Sequence, residues 1–337
     1  MTAICAAARI ALGALALVFF LASALPALAQ QNAPIDPQAR VQSEESLLKQ
    51  FPRVEGVIDQ PNWRERVLIQ PDGRVWDHFH EVTLRWLGGL LIVGTLALLA
   101  CAYLLLGRMR VSAGRSGIRI LRFTSFERFS HWLTAASFVI LGLTGLNITF
   151  GKVLLLPLIG PDAFSAFSQY AKYVHNYVSF SFVFGLAIII TIWMKDNIPE
   201  KADVEWFRQG GGFVKSRHAP ARRFNAGEKL VYWLAFGAGG AVAVSGYLLL
   251  FPFYVTNIFG MQIAQGVHGI VALLFVALIL GHIYIGTLGM EGAFEAMGTG
   301  EVDLNWAKEH HDLWLEDQLA KRQAGTSRTL PSATPAE

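Results

Sequence analysis

The sequence predicts an all-α membrane protein, a transmembrane helix bundle with five spans that follow a signal peptide. Hydrophobic residues make up 53% of the 337 residues and charged residues only 16%, a composition too apolar for a soluble protein of this length. Five apolar segments are each long enough to cross a bilayer, which takes about 20 residues. The first thirty residues have the pattern of an export signal. These three observations exclude a soluble enzyme.

The N-terminal segment is interpreted as a cleaved signal peptide, residues 1–29. Arg9 precedes an apolar stretch, and the small residues Ala27 and Ala29 close the segment as they do at a cleavage site. An uncleaved N-terminal helix is the alternative. Under either interpretation, residues 30–84 lie outside the cytoplasm.

Residues 30–84 are predicted to form a periplasmic arm. They are polar, contain several prolines and are too few to bury much of a core. We therefore expect the arm to lie on a partner or on the membrane surface. The sequence Asp77-His78-Phe79-His80 could bind a metal ion, but the edge of the membrane is the preferred explanation.

The charge of the connections between spans predicts their orientation. The spans lie at about 86–107, 131–150, 173–194, 229–251 and 263–286. The connections 107–130 and 195–229 carry six and eight lysines or arginines. The connection 151–171 carries one and 252–262 carries none. The positive-inside rule places the two basic connections in the cytoplasm. The tail 291–337 follows them there, and its last dozen residues, rich in Ser, Thr, Pro and Ala, are predicted to be disordered.

The cysteine count excludes several redox centres. Cys5 lies in the signal peptide and Cys101 in an apolar run. Two such cysteines cannot supply a disulfide in the processed chain, a c-type haem attachment or a four-cysteine iron–sulfur cluster. The net charge of +3 is small, and no nucleic-acid partner is expected.

Four histidines fall within or at the ends of the apolar segments, where an ionisable residue is costly and points to function. They are His131, His175, His268 and His282. The last two are fourteen residues apart on one span, a rise of about 21 Å that leaves both rings on the same side of the helix. The predicted topology sorts the four by depth. His131 and His282 lie near the cytoplasm, and His175 and His268 lie near the outer face.

Neutral imidazole is a natural axial ligand of haem iron, and helix bundles build such sites between facing helices. Without attachment cysteines the haems would be b-type, one for each histidine pair. Two alternatives stay open. One is a proton relay, although the spans hold almost no carboxylates, and the other is hydrogen bonding between helices. His218, His310 and His311 lie in cytoplasmic connections and are expected at the surface.

Between residues 122 and 314 the chain carries a series of recognisable stretches. They are RFTSFERFSHW (122–132), LTGLNITFGK (143–152), KYVHNY (172–177), WMKDN (193–197), RFNAGEK (223–229), SGYLLLFPF (245–253) and GHIYIGTLGMEGAFEAMGTGEVDLNWAKEHHDLW (281–314). In these stretches, together with the histidine at 268, the chain resembles the gamma subunit of membrane-bound formate dehydrogenase, the dihaem cytochrome b556 subunit.

The resemblance implies a four-helix dihaem cytochrome b domain over residues 108–290. It pairs His131 with His282 at the haem near the cytoplasm, and His175 with His268 at the haem near the periplasm. Arg128 and Lys172 could pair with haem propionates, although anchoring at the membrane surface is the preferred reading.

The resemblance also implies a substrate and partners. Menaquinone or ubiquinone would bind beside the cytoplasmic haem at Asn225 and Gly227, close to His282. Asn225 is also expected to cap the following helix. The partners would be an iron–sulfur beta subunit and a catalytic alpha subunit with molybdenum or tungsten. The complex would sit in the bacterial inner membrane, among its lipids, and formate would be oxidised outside this chain.

The chain departs from this family in several places. It adds the signal peptide, the arm and an extra span at 85–107, and it has Glu228 where glutamine is expected. Two other functions stay open: a cytochrome b of another dehydrogenase, such as a nickel–iron hydrogenase, and a haem-free anchor or transporter.

Overall fold

The computed structural model describes residues 76–211 and 219–328. Within them, five helices are long and apolar enough to cross a membrane, which confirms the predicted all-α bundle with five spans. The predicted signal peptide 1–29, most of the arm and the end of the tail lie outside the described residues.

The helices and strands follow one another in a simple order. They are α1 (Leu84–Leu106, continuing from a π-helical turn at Phe79–Thr83), β1 (Arg119–Leu121), α2 (Ser125–Leu154), α3 (Leu156–Ile159), α4 (Pro161–Trp193), α5 (Lys201–Arg208), α6 (Ala226–Leu250), α7 (Ile258–Tyr284, followed by a π-helical turn at Ile285–Gly289), α8 (Ala293–Gly298), β2 (Glu301–Asp303), α9 (Leu304–His310) and α10 (Asp312–Arg328).

Two of the spanning helices extend well beyond their apolar cores. α2 begins at Ser125 because Thr124 and Glu127 form a capping box. His131 therefore lies in its second turn and not at its start. α4 begins with Pro161 at its first position, where the ring sets a helical backbone. The predicted outer connection 151–171 is consequently mostly helical.

The five helices pack through small residues. α2 lies along α4, where Gly185 faces Thr134, and α6 lies along α7. α1 packs on α7, where Gly88 faces Leu273. Small residues of this kind allow close approach of helices in membranes. Most of the remaining surface of α1 is exposed, which places the extra span at the edge of the bundle.

One end of the bundle is closed by a folded unit that we call the cap. The cap comprises residues 107–124, 194–211, 219–225 and 290–321. β1 pairs with β2 in antiparallel register, and a buried cluster joins both strands to the helix ends. The cluster contains Val111, Ile120, Phe123, Trp193, Phe224, Tyr232, Ala296, Val302, Trp306, Ala307, Trp314 and Leu315.

Buried charges tie the cap to the helices. Glu127 of α2 accepts hydrogen bonds from Trp193 Nε1 at 2.9 Å and from Arg223 Nη2 at 2.6 Å. Arg122 Nη2 lies 3.0 Å from Glu228 Oε1, and its guanidinium lies 5.3 Å from the Trp306 ring centre. Each of these charges has an opposite partner, as buried charges require.

The expectation that His311 lies at the surface is wrong. The residue is fully buried, because the turn between α9 and α10 directs it into the cap. Its Nδ1 donates to the carbonyl of Arg222 at 2.8 Å. Burial, together with the nearby charge of Arg122, lowers the pKa of His311 to about 3. His310 is partly exposed, and His218 lies outside the described residues.

We expect low pH to destabilise the cap, because protonation of His311 is unfavourable in the folded chain. Its pKa of about 3 in the folded chain lies below its ordinary value of 6.5, so the unfolded chain takes the proton first. The contribution of the neutral ring is complete above pH 6.5 and is lost as the pH falls toward 3. The loss approaches about 1.4 kcal/mol for each pH unit. Tryptophan fluorescence of the cap, followed from about pH 8 to 4, measures it.

A matched pair of variants isolates this residue. His311→Asn keeps a donor toward the Arg222 carbonyl but cannot titrate, so its acid transition should move to lower pH. His310→Asn changes the partly exposed neighbour in the same way and should behave as the wild type does. The prediction is wrong if wild type and His311→Asn loosen at the same pH.

Candidate functional site

The four histidines of the spans meet in two pairs. The ring centres of His131 (α2) and His282 (α7) are 6.2 Å apart, with ring planes at 56°. Those of His175 (α4) and His268 (α7) are also 6.2 Å apart, with planes at 70°. The structure therefore brings together the same pairs that the sequence predicts, and α7 contributes one ring to each. Their role as metal ligands remains a prediction.

The separation within each pair matches two imidazoles on one metal ion. A metal bound to a ring nitrogen at about 2.0 Å lies about 3.1 Å from the ring centre, so two such rings on opposite sides of the metal have centres about 6.3 Å apart. The pairs themselves are separated along α7 by the rise of fourteen residues, about 21 Å. The arrangement can thus hold two separate metal centres, and no single ion can bridge both.

Hydrogen bonds orient the rings of the pair farther from the cap. His268 Nδ1 donates to the carbonyl of Val242 at 3.1 Å and lies 3.2 Å from Ser245 Oγ. Thr144 Oγ1 donates to the carbonyl of Ile140 and lies 2.8 Å from His175 Nδ1, so the hydroxyl accepts from that ring. With this assignment both rings carry their proton on Nδ1 and leave Nε2 available to bind a metal ion. Metal-binding histidines are commonly oriented in this way.

The pair beside the cap is held differently. His131 Nδ1 is buried and has no hydrogen-bond partner within the described part of the chain. Its ring packs edge-on against Trp132 at 5.3 Å, and Trp132 Nε1 donates to the carbonyl of Met297 in the cap at 2.9 Å. Burying a ring nitrogen without a hydrogen-bond partner costs free energy. The unpartnered nitrogen of His131 is therefore consistent with a site in which a bound group orients the ring.

Two glycines leave space for the rings of His175 and His268. A Cβ at Gly145 would lie 3.4 Å from His175 Cε1, and a Cβ at Gly246 would lie 3.1 Å from His268 Cε1. Each ring therefore rests against the backbone of a neighbouring helix. Sequence reasoning missed these two glycines. The signal was a hydroxyl residue directly followed by glycine within an apolar span.

Asn225 and Gly227, the predicted quinone residues, lie where α6 enters the bundle from the cap. Asn225 Oδ1 accepts from the backbone nitrogen of Glu228 at 3.0 Å, and Glu228 Oε2 accepts from the backbone nitrogen of Asn225 at 3.0 Å. A Cβ at Gly227 would lie 2.9 Å from the Trp206 ring. Both residues thus have structural roles, and quinone binding by them remains a prediction.

The histidines before α1 form a polar edge. His80 Nε2 lies 3.3 Å from Gln265 Nε2, and its Nδ1 lies 3.3 Å from Glu81 Oε1. Glu81 also pairs with Arg85. No group of three or more metal-binding side chains occurs in residues 76–211 and 219–328. The preferred reading of this sequence as a juxtamembrane edge is consistent with these contacts.

The two basic residues that could meet haem propionates differ in their surroundings. Arg128 Nη1 donates to the carbonyl of Gly298 at 2.9 Å, which fastens α2 to the cap. Lys172 is exposed on α4. Pairing with propionates remains a prediction for both.

Comparisons with known proteins identify the matching family. The family model described as prokaryotic cytochrome b561 matches residues 122–300, more than half of the chain, and all four paired histidines lie inside this range. Among curated relatives, the cytochrome b556(fdo) subunit of formate dehydrogenase from Escherichia coli K12 is 27% identical over 202 residues. That match covers 59% of this chain and 92% of the relative.

Two further relatives extend the match. The cytochrome b556(Fdn) subunit of the nitrate-inducible formate dehydrogenase of E. coli K12 is 24% identical, over 61% of this chain and 95% of its own. The formate dehydrogenase cytochrome b556 subunit of Haemophilus influenzae Rd is 27% identical, over 61% of this chain and 90% of its own. The resemblance to formate dehydrogenase cytochrome b556 subunits inferred from sequence stretches is confirmed.

If a haem binds at His175, as the resemblance implies, we expect Thr144→Val to weaken its retention. The substitution keeps the shape of the side chain but removes the hydroxyl that accepts from His175 Nδ1, and loss of such a partner usually lowers metal affinity about tenfold or more. The rate of haem transfer from the purified protein to apomyoglobin measures the change.

Thr191→Val is the matched control. The Thr191 hydroxyl donates only to the carbonyl of Ala187 in its own helix, at 2.7 Å, and the residue is exposed. This variant should release haem as slowly as the wild type. Equal release from both variants would mean that Thr144 does not orient the ring.

Proposed function

This chain belongs to the prokaryotic cytochrome b561 family, and from that premise we propose that it is the cytochrome b subunit of a membrane-bound formate dehydrogenase. It would carry electrons from an iron–sulfur partner through two b-type haems to quinone. The family implies haem b, and the names of the relatives place them in formate dehydrogenases. The observation that carries the proposal is the pairing of the four histidines at one metal-sized separation.

In the proposed sites each iron has two histidine ligands. His131 and His282 would hold one haem, and His175 and His268 the other. With two histidines holding each haem, a bound haem would supply the gain and loss of one electron and not oxygen activation. Thr144 and Ser245 would keep two of these rings in the tautomer that offers Nε2.

The proposed orientation puts the cap in the cytoplasm of the inner membrane. Most of the described residues of the basic connections 107–130 and 195–229 lie in the cap, and the positive-inside rule favours the cytoplasm for them. His131 and His282 would then lie on the cytoplasmic side, and His175 and His268 on the periplasmic side. The N-terminal arm and its signal peptide would be exported.

The proposed quinone site lies at the cytoplasmic end, at the turn before α6. Asn225 uses its side-chain oxygen for the helix cap, and its side-chain nitrogen, which makes no hydrogen bond within the described part of the chain, would donate to a carbonyl of menaquinone or ubiquinone. Gly227 keeps this turn free of side-chain bulk. Glu228, in the same turn, lies within electrostatic range of His282, which links the turn to one histidine pair.

The proposed partners follow from the same reasoning. Formate would be oxidised on a periplasmic catalytic subunit with molybdenum or tungsten, and an iron–sulfur subunit would deliver electrons at the side of His175 and His268. The quinone beside Asn225 would take up two electrons from this chain and two protons from the cytoplasm. Because electrons would enter near the periplasm and protons would be taken up from the cytoplasm, the overall reaction would separate charge across the membrane.

We expect two b-type haems in the purified wild-type chain, and one in each of His268→Ala and His282→Ala. Each substitution removes one ligand from a different pair. Reduced-minus-oxidised spectra with a pyridine haemochrome count measure both the number and the spectral identity of the haems lost. His80→Ala, a control at the membrane edge, should keep both. A well-folded wild type without haem would contradict the proposal and favour a haem-free anchor.

In membranes that contain the whole complex, we expect formate to reduce the wild-type haems and quinone. His268→Ala should lose electron transfer to quinone yet retain formate-dependent reduction of an artificial dye, because formate chemistry lies on the partner. The rate of quinone reduction, compared with the rate of dye reduction, tests the route. Haems that respond to hydrogen but not to formate would instead identify the partner as a hydrogenase.

A further inference from the structure

Three phenylalanines lie midway between the two histidine pairs, one on each helix that carries a paired histidine. Phe138 follows His131 by seven residues on α2, and Phe182 follows His175 by seven residues on α4. Phe275 is seven residues from both histidines of α7. Seven residues return to nearly the same face of a helix after a rise of about 10.5 Å. The three rings therefore point the same way as the histidines, at half the distance between the pairs.

The three rings contact one another in a closed triangle. Phe138 and Phe275 have ring centres 4.6 Å apart, Phe138 and Phe182 6.1 Å, and Phe182 and Phe275 6.3 Å. Their planes are inclined by 47° to 63°, which suits the edge-to-face preference of aromatic rings. We call these three residues the phenylalanine layer.

The phenylalanine layer is packed among hydrophobic side chains. Phe182 and Phe275 are only 4% and 3% exposed. The hydrophobic residues that pack with the layer are Leu141, Val183, Leu186, Ile190, Ala235, Ala238, Val242, Leu278 and Ile279. The three rings and these neighbours offer no hydrogen-bonding group to a water molecule that would enter between them.

The polarity of its surroundings affects the reduction potential of a haem. Adding one electron to a ferric b-type haem removes one positive charge from its site, and low polarity disfavours the charged form. Burial and dielectric are accordingly among the means by which a protein sets haem potentials. A polar group placed between the two sites would admit water and favour the oxidised form of both.

We propose that the phenylalanine layer is a dry partition between the two haem sites and holds the reduction potentials of both haems up. The three residues are not among the proposed haem ligands or quinone residues and act through the polarity around the ligands, so they are positioning residues. The inference rests on the proposed function, since it requires two bis-histidine haems. The alternative is that the rings serve packing alone.

The test compares one substitution at two positions on α4. Phe182→Gln introduces a polar group into the layer. Phe184→Gln introduces the same group two residues away, on the outer surface, where the side chain is 62% exposed. Both proteins are purified with haem, and the haems are titrated anaerobically between dithionite and ferricyanide while the spectrum is recorded.

We expect Phe182→Gln to retain two haems and to shift both midpoint potentials downward, and Phe184→Gln to keep the wild-type values. Phe182→Leu, which is apolar and nearly as large, should restore them, whereas a role in packing alone would make Leu and Gln behave alike. Unchanged potentials in Phe182→Gln, with both haems present, would overturn the proposal.

A second variant tests the proposal in case Phe182→Gln does not fold. Phe275→Tyr adds a single hydroxyl to the layer with little change of shape and should shift both potentials in the same direction. Unshifted potentials in this variant would equally overturn the proposal. A wild type with fewer than two haems would refute the proposed function instead, so the two failures are distinguishable.

Discussion

An imidazole inside a membrane helix gains from partners for its ring nitrogens, because lipid offers none. The arrangement of the whole bundle follows from this constraint. The rings face one another in two pairs, and the outward nitrogens of one pair are satisfied by hydroxyls and a carbonyl of neighbouring helices. α7 carries one ring of each pair. The positions of α2 and α4 along the bundle are therefore fixed by the depths of His282 and His268, which their own histidines must face.

The cap holds the helix ends in the register that this pairing requires. Glu127 caps α2, accepts from Trp193 at the end of α4 and pairs with Arg223 ahead of α6. One carboxylate thus gathers the ends of three helices, one turn away from His131. Breaking a buried pair leaves a charge without compensation, so the cap acts as a single unit.

Much of this arrangement follows from the sequence because its causes are local or periodic. The five spans come from hydropathy, and the depth of each histidine comes from its position within a span and the charges beside it. The starts of α2 and α4 were misjudged because capping residues and a proline, and not hydropathy, extend these helices. The predicted and observed helices thus differ at the turns around Thr124 and Pro161, whereas the number and order of the spans agree.

Other features depend on contacts between distant parts of the chain. The burial of His311 requires β1 to pair with β2, about 180 residues further on, and no local pattern signals this. Thr144 and Ser245 were missed because a hydroxyl in a membrane helix ordinarily bonds its own backbone, as both of these also do. Only the relative rotation of two helices shows that each hydroxyl also meets a ring.

The position of α7 as the last span has a consequence for biosynthesis. A chain is made from its N-terminus, so α2 and α4 enter the membrane carrying only half of each histidine pair. Neither pair is complete until α7 has been inserted, and both are then completed by the same event. A ribosome that stops before residue 268 therefore releases a product with no complete pair.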